Sequence, residues 1–352
     1  MISVFDIFKI ILGVIISAFI LVLVFRFVGS YIQIGESGRE LSVIINFKKT
    51  MDNVYTTGIA ADFDFKDSKT IVGYRPPYIE THISFVDTNP VPVLLVPGEK
   101  LSVYRGEYDT GWWKFYFIEA LPETSVLFVP LDESGMAWSV VGNVTKMLPS
   151  TENTKTKLRF GLGCNGTDWF GWWEGNKFLE TILPRLVTVE MGLKKCENAE
   201  YLREKGYRIV TISDNSDNLQ DADFAVVPSD GGVGYVYIKN GDAYEKYIFK
   251  NGLDIVALLL GGGKLYNYTN EKFLKELEVA IDVYLKESGL LPTDPNKRCG
   301  AVNFEFVGIL NSIKDLIPTV KSGAAESDAI DFAQYMKASA TKYRELESGG
   351  CA

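Results

Sequence analysis

The sequence contains very little histidine and no closely spaced cysteines. Its 352 residues include one histidine, His82, and four widely separated cysteines, Cys164, Cys196, Cys299 and Cys351. His82 falls on the polar face of a predicted strand, so we expect it at the surface. Catalytic sites of the Ser-His-Asp and Cys-His types are therefore excluded. Without a C-x-x-C motif or a second histidine, the spacing typical of metal ligands is absent, so we predict no zinc or iron–sulfur site and no cofactor.

Positive charge is also in short supply. The chain has 36 Lys and Arg against 45 Asp and Glu, a net charge of −9. No basic stripe is present that would neutralise phosphates and release counterions, so nucleic acid is excluded as a partner. The glycine run LLLGGGKLYN, with Lys264, lacks the spacing of a phosphate loop and is interpreted as a turn.

Apolar residues, in contrast, form one long run near the N-terminus. The 16 residues between Lys9 and Arg26 carry no charge, and 13 of them are Ile, Leu, Val or Phe. Extended to Val28, the run would form a helix about 28 Å long, close to the thickness of the hydrocarbon core. We predict that residues 1–30 are a transmembrane anchor in the lipid bilayer, with the N-terminus cytoplasmic and the bulk of the chain extracytoplasmic. A cleaved signal peptide and a buried core helix are the alternatives.

The four cysteines are interpreted in the light of this anchor. An even number of cysteines outside the cytoplasm favours two disulfides. Sequence order suggests the pairs Cys164–Cys196 and Cys299–Cys351, although four cysteines allow three connectivities. Four free, buried thiols are the alternative.

Three N-x-[ST] sequons are candidate glycosylation sites. They begin at Asn143, Asn165 and Asn267. Chance predicts about two such sequons in a chain of this composition, so they support an extracytoplasmic location only weakly.

A second helix is predicted directly after the anchor. Over residues 31–56, the apolar residues Leu41, Ile44, Phe47, Met51 and Val54 recur at helical spacing, which predicts an amphipathic stalk helix. A membrane helix that runs into an amphipathic helix and then a β-rich domain is similar in layout to archaeal pilin-like, single-pass surface proteins. The resemblance implies an envelope or filament component, and the chain departs from it in lacking a prepilin cleavage site.

The remaining chain predicts an α+β fold in three parts. Short alternating runs separated by Pro and Gly predict a β-rich, sandwich- or barrel-like domain over residues 57–162. YIETHISFV is interpreted there as one strand, and MAWSVV as another. Residues 163–290 predict a small α/β domain, with a hairpin turning at Asn240-Gly241 and a helix from Asn270 to Gly289. Residues 291–352 predict a C-terminal helical hairpin that a Cys299–Cys351 bridge would close.

Two tryptophan-rich runs are the strongest candidates for a contact surface. DTGWWKFYF contains Asp109, Trp112 and Trp113, and TDWFGWWEG contains Asp168, Trp169, Trp172 and Trp173. If the paired tryptophans occupy successive strand positions, each pair leaves one indole exposed. Exposed indoles beside carboxylates are suited to stacking on sugars or binding a partner. Packing in the core is the alternative.

One acidic run is a weak candidate for a metal site. SDNSDNLQDAD places Asp214, Asp217, Asp221 and Asp223 just after a predicted strand. The run does not fit the EF-hand pattern, so a calcium-binding loop and a solvated acidic turn are both open interpretations.

Three functions agree with these observations. The first is an anchored extracytoplasmic structural or interaction protein, with envelope proteins or glycans as partners. The second is a surface hydrolase of the glycosidase type, which needs only two carboxyls and would draw them from Asp109, Glu119, Asp168 or Glu174. The third is a membrane-tethered binder of carbohydrates or other solutes.

Overall fold

The computed structural model describes the parts of the chain that build the fold core. These are residues 20–22, 38–65, 72–81, 84–122, 125–130, 139–140, 143–144, 159–162, 164–165, 168–169, 172–173, 207–212, 222–229, 232–241, 243–288, 298–321 and 325–351. Within these ranges, no helix combines the length and the apolar character that crossing a membrane requires. The predicted anchor lies outside them apart from residues 20–22.

The described residues form a mixed α+β structure, as the sequence predicted. The helices are α1 (38–57), α2 (Gly252–Ser288), α3 (Arg298–Lys321) and α4 (Glu326–Ser348). The strands are β1 Ala61–Asp64, β2 Gly73–Arg75, β3 Tyr78–Glu80, β4 Phe85–Asp87, β5 Val93–Leu95, β6 Lys100–Asp109, β7 Lys114–Leu121, β8 Ser125–Pro130, β9 Arg159–Leu162, β10 Cys164–Asn165, β11 Asp168–Trp169, β12 Trp172–Trp173, β13 Tyr207–Ile212, β14 Phe224–Pro228, β15 Gly234–Asn240 and β16 Ala243–Phe249.

A four-stranded sheet in the order β1-β6-β7-β5 occupies the N-terminal half. The sheet is open, with β1 and β5 at its edges, so the described strands do not close the predicted barrel. Its centre is the long β6–β7 hairpin. Helix α1 packs on one face, where Ile44, Phe47, Met51 and Val54 are buried. The predicted amphipathic helix is therefore present, but its described part is a layer of the globular fold, since its apolar stripe is covered by the sheet.

The segment YIETHISFV is a hairpin and not the single strand that was predicted. Strand β3 ends at Glu80, the chain turns between Thr81 and Ser84, and β4 returns antiparallel to β3. The Thr81 hydroxyl accepts a hydrogen bond from the Ser84 N–H at 3.1 Å, which stabilises the turn. Phe85, at the start of β4, is 69% exposed.

A seven-stranded sheet crosses the predicted domain boundary at residue 162. Its order is β12-β9-β8-β13-β14-β15-β16, with parallel pairing from β9 to β14 and antiparallel pairing from β14 to β16. Strands β8 and β9 precede the boundary, while β13 to β16 follow it. The boundary thus runs through one sheet, because strand neighbours far apart in sequence are paired. Residues 139–140, expected in a strand, are helical.

Helix α2 begins much earlier than predicted. Asn270, expected at its N-terminus, lies buried inside it. The glycine run that was interpreted as a turn belongs to the helix, where only Gly262 leaves the helical conformation, with φ of 65°. Asn251 provides the cap instead: its side chain accepts the Asp254 N–H at 2.9 Å.

The C-terminal helices α3 and α4 form the predicted hairpin. Cys299 at the start of α3 and Cys351 just after α4 form a disulfide, with their Cα atoms 5.5 Å apart, so this predicted pair is confirmed. Phe306 and Ile313 of α3 and Phe332 of α4 are buried. They join one large core that also includes α2, the β6–β7 hairpin and strands β13 to β16.

Candidate functional site

The tip of the β6–β7 hairpin is a tight turn over residues 110–113. The Thr110 hydroxyl donates to the Trp113 carbonyl at 2.7 Å, and Asp109 accepts the Gly111 N–H at 2.6 Å. Gly111 has φ of 89°, a conformation that favours glycine. Asp109 also pairs with Lys114 at 3.3 Å. The Asp109 carboxylate therefore shapes the turn.

Trp112 and Trp113 lie in this turn and not in successive strand positions. The expectation that one indole faces inward and the other outward is consequently wrong, and both are half-buried against the large core. Trp112 packs edge-on against Phe306 and donates its indole N–H to the Ser339 hydroxyl at 2.9 Å. Trp113 packs against Phe273. Together they attach the hairpin to α2, α3 and α4, and a contact role for them stays a prediction.

The second tryptophan run is described only through its backbone. Trp169 pairs with Cys164 between β11 and β10, and Trp172 pairs with Gly161 between β12 and β9. The side chains of Asp168, Trp169, Trp172 and Trp173 lie outside the described part, as do Glu174 and His82.

The hairpin tip forms one wall of a cavity of about 360 Å³. The other walls are Lys250 and Asn251 before α2, Phe273 of α2, and one face of α4 from Phe332 to Arg344. We call this cavity the cationic cleft, because Lys250, Lys337 and Arg344 line it. Asp109 is the only carboxylate among the residues described as lining it. The cleft thus carries positive charge in a chain whose net charge is −9.

Lys250 is the buried cation at the base of the cleft. Its side chain is 3% exposed and lies 2.9 Å from the Asp254 carboxylate. Burial acts to lower the pKa of Lys250, but Asp254 and Tyr266 outweigh it and the net direction is upward. Asp254 also accepts the Lys250 N–H at 2.8 Å, and together with the Asn251 cap this fixes the start of α2. The charge of Lys250 is therefore neutralised within the protein.

Lys337 and Arg344 are the exposed cations at the rim. Among the described residues, neither has a carboxylate partner, although Arg344 Nε donates to the Ala340 carbonyl at 3.3 Å. The residues lie on one face of α4, seven positions or about 10 Å apart along the helix axis. The Cβ of Ala340 between them would stand 3.6 Å from a Cβ placed on Gly111. Because Gly111 and Ala340 are small, the hairpin tip can lie close to α4 while the cleft beside them stays open.

A second cavity of about 490 Å³ adjoins the cationic cleft. The two share Asn251 and Lys337 in their linings. Pro228 and Ser229 at the carboxyl end of β14 line the second cavity, as does Gly252 at the start of α2. Crevices at the carboxyl ends of parallel strands are frequent ligand sites in open α/β sheets.

Glu119, one of the predicted hydrolase carboxylates, is far from Asp109. The residue is fully buried in β7, opposite Tyr104 of β6. Glu119 lies five residues along the antiparallel hairpin from the Asp109–Lys114 pair. At the rise of a β-strand, this is a distance of about 17 Å. Glycosidase carboxyls lie about 5 to 9.5 Å apart, so these two residues do not form such a pair. Burial raises the pKa of Glu119 well above its usual range, and the neighbouring Tyr104 offsets this only in part.

The remaining candidates are dispersed over the fold. Asn143 is exposed and lines the second cavity, and Asn267 is exposed on α2. Asn165 and Cys164 lie in β10, whereas Cys196 is outside the described residues. Of the four acidic-run residues only Asp223 is described, just before β14, and the described residues contain no cluster suited to a metal ion. Asp214, Asp217 and Asp221 lie outside.

Sequence reasoning identified one residue of the cleft, Asp109, and missed the others. Lys250, Lys337 and Arg344 stand in no recognisable motif, and Tyr108 and Phe273 appear as ordinary core residues. The seven-residue spacing of Lys337 and Arg344 beside buried Phe332 and Met336 is the only local signal, and it is common on amphipathic helices.

Comparisons of the chain with protein-family models, with curated proteins and with solved structures give no match. Any functional conclusion therefore depends on the chain's own residues.

Proposed function

We propose that this chain is a single-pass, membrane-anchored extracytoplasmic protein with a structural or interaction role, as an envelope or pilin-like component. The Cys299–Cys351 disulfide carries the proposal. Disulfides persist in oxidising compartments, and this one joins the two ends of the α3–α4 hairpin. Closing a loop of this length stabilises the fold by about 4 kcal/mol in the chain-entropy model, which is useful to a domain exposed to proteases.

The N-terminal layout supports the same proposal. The charge-free run up to Phe25 is followed closely by α1, whose apolar stripe is buried against the four-stranded sheet. A membrane helix in this position would be followed, after the 12 residues 26–37, by α1, a layer of the globular fold. Such a connection suits a protein that displays its folded part at a membrane surface, which is the layout of pilin-like proteins.

The proposal is tested by mass mapping of the full-length chain recovered from cell fractions. We expect it in the membrane fraction with residues 1–30 retained and Cys299 linked to Cys351 under non-reducing conditions. Peptides with Asn143, Asn165 or Asn267 would show in the same digest whether the sequons are used. Recovery of the intact chain from the soluble fraction with all four thiols free to alkylate would overturn the proposal.

A membrane-tethered solute binder is the second candidate function, and the cationic cleft favours it. A glycosidase is less well supported, since Asp109 is the only carboxylate described in the lining of either cavity. The pair Asp168 and Glu174 lies outside the described side chains. Replacing Asp109 with Asn would abolish a carboxylate-based hydrolysis but leave a binding function largely in place.

A further inference from the structure

We propose that the cationic cleft binds a small organic anion, with its carboxylate or phosphate group on Lys337 and Arg344 and its apolar body between the hairpin tip and α4. This inference rests on the second candidate function, solute binding, and names the class of solute.

The balance of charge around the cleft identifies an anion. Lys250 is neutralised by Asp254 at 2.9 Å, whereas Asp109 shares Lys114 with Glu107, whose carboxylate lies 2.5 Å from the ammonium against 3.3 Å for Asp109. Lys337 and Arg344 are left without a carboxylate partner among the described residues, so two positive charges face the cavity uncompensated. In a chain with a net charge of −9, two such cations at one opening are a local concentration of positive charge, which favours an anion.

The chemistry of the two cations specifies the charged group. The guanidinium of arginine is planar and presents paired donors that match the oxygens of a carboxylate or a phosphate. A lysine ammonium adds a mobile point charge. Lys337 and Arg344 project from the same face of α4. One carboxylate or phosphate group can therefore bind both side chains at once, each through a different oxygen.

The walls of the cleft specify the rest of the ligand. Phe273 of α2 and Phe332 and Met336 of α4 are buried core residues that also line the cavity, and Tyr108 forms the wall on the hairpin side. Burial raises the pKa of Tyr108, so this wall stays uncharged at neutral pH. A volume of about 360 Å³ lies within the usual range for small-molecule sites. Walls that include these apolar side chains, beside the polar Thr110 and Asn251 and with cations at the rim, fit a molecule with an apolar body and one anionic end.

The test uses the purified full-length chain in detergent micelles and three probes: phenyl phosphate, inorganic phosphate and benzyl alcohol. Binding is measured by titration calorimetry at low salt. We expect phenyl phosphate to bind at least tenfold more tightly than either of the other probes, because it alone has both the anion and the apolar body. Lys337→Gln and Arg344→Gln should each weaken its binding about tenfold, which is about 1.4 kcal/mol.

Lys342→Gln is the matched control. Lys342 lies on the same helix, but its ammonium pairs with Glu305 and Glu345 and does not line the cleft. Its replacement should change the affinity for phenyl phosphate less than twofold, and circular dichroism confirms that all three variants fold. Three results would each overturn the inference. Benzyl alcohol could bind as tightly as phenyl phosphate, Lys342→Gln could weaken the binding of phenyl phosphate as much as the other two variants do, or phenyl phosphate could fail to bind at millimolar concentration.

The outcome of this binding test does not depend on whether the chain is anchored in a membrane. A chain that binds phenyl phosphate as expected but is recovered from the soluble fraction would contradict the proposed location and leave the site intact. A membrane-bound, disulfide-linked chain that binds none of the probes would do the reverse.

Discussion

Trp112 and Ser339 are joined by a hydrogen bond of 2.9 Å across 227 residues of chain. The indole N–H of the hairpin tip donates to a serine hydroxyl that is fully buried in α4 and that itself donates to the Met336 carbonyl at 2.7 Å. This contact fixes the hairpin against the helix that carries Lys337 and Arg344. The hydrogen bond between Trp112 and Ser339 therefore helps to hold together the two opposite walls of the cationic cleft, the hairpin tip and α4.

Ser339→Ala should destabilise the fold by about 1–2 kcal/mol, because the half-buried Trp112 N–H loses its acceptor. The measurement is urea unfolding followed by tryptophan fluorescence. Ser312→Ala on α3 is the control, since that hydroxyl also donates to a carbonyl of its own helix but bonds to no side chain among the described residues. A loss in Ser339→Ala no larger than in the control would show that the bond to Trp112 contributes nothing to stability.

The double replacement of Cys299 and Cys351 with serine should lower the free energy of unfolding by about 4 kcal/mol, because the unfolded chain gains the entropy of an open loop. Urea unfolding with and without a reductant checks this. In the wild-type chain, the reductant should reproduce most of the loss. Unfolding curves that superimpose for the wild type and the double variant would contradict the prediction.

Asp254→Asn should cost about 3–5 kcal/mol at neutral pH, because it leaves the buried Lys250 ammonium without its counter-charge. Asp282→Asn on the same helix is the matched control. Its partner Lys314 is 39% exposed, so this loss should stay below about 1 kcal/mol. Adding Lys250→Met to Asp254→Asn should recover part of the loss. Equal costs for the two aspartate variants would mean that the Lys250–Asp254 pair is not buried.

Glu119→Gln should stabilise the protein at pH 8 and leave it unchanged near pH 4. The folded state raises the pKa of Glu119, so it holds a proton that the unfolded chain releases above a pH of about 4.3. The stabilisation due to this proton is complete below that pH and is lost as the pH rises towards the folded pKa. The neutral amide of Glu119→Gln avoids this loss, so the variant should have the higher free energy of unfolding at pH 8.

The Glu119 prediction is tested by measuring the free energy of unfolding of the wild type and of Glu119→Gln at several pH values. Glu287→Gln, an exposed position on α2, should change the free energy of unfolding by less than about 0.5 kcal/mol at every pH. A Glu119→Gln variant that is less stable than the wild type at pH 8 would indicate that the buried carboxylate has a partner that stabilises its charged form.

Local patterns predicted elements well where one face of each is buried. The stripe Ile44, Phe47, Met51 and Val54 predicted α1, and Asn240-Gly241 predicted the β15–β16 turn. Local patterns failed where a side chain bonds to nearby backbone. The Thr81 hydroxyl bonds to the backbone of Ser84, and this turn makes the alternating run YIETHISFV a hairpin. Local patterns failed again around Gly262: the glycine run was interpreted as a turn, but it lies inside α2, where only Gly262 leaves the helical conformation.

The sequence by itself determined the apolar N-terminal run, the acidic net charge and the α+β character, and chain order suggested the pairing of Cys299 with Cys351 as one of three connectivities. These depend on composition, on periodicity and on chain order, which are local or additive quantities. Only the tertiary structure decided that β8 and β9 share a sheet with β13 to β16, and that Asp109, Lys250 and Arg344 surround one cavity. The reason is physical: strand pairing and cavity walls are set by contacts between segments that share no local signal, and the free energy of those contacts exists only once the whole core has packed.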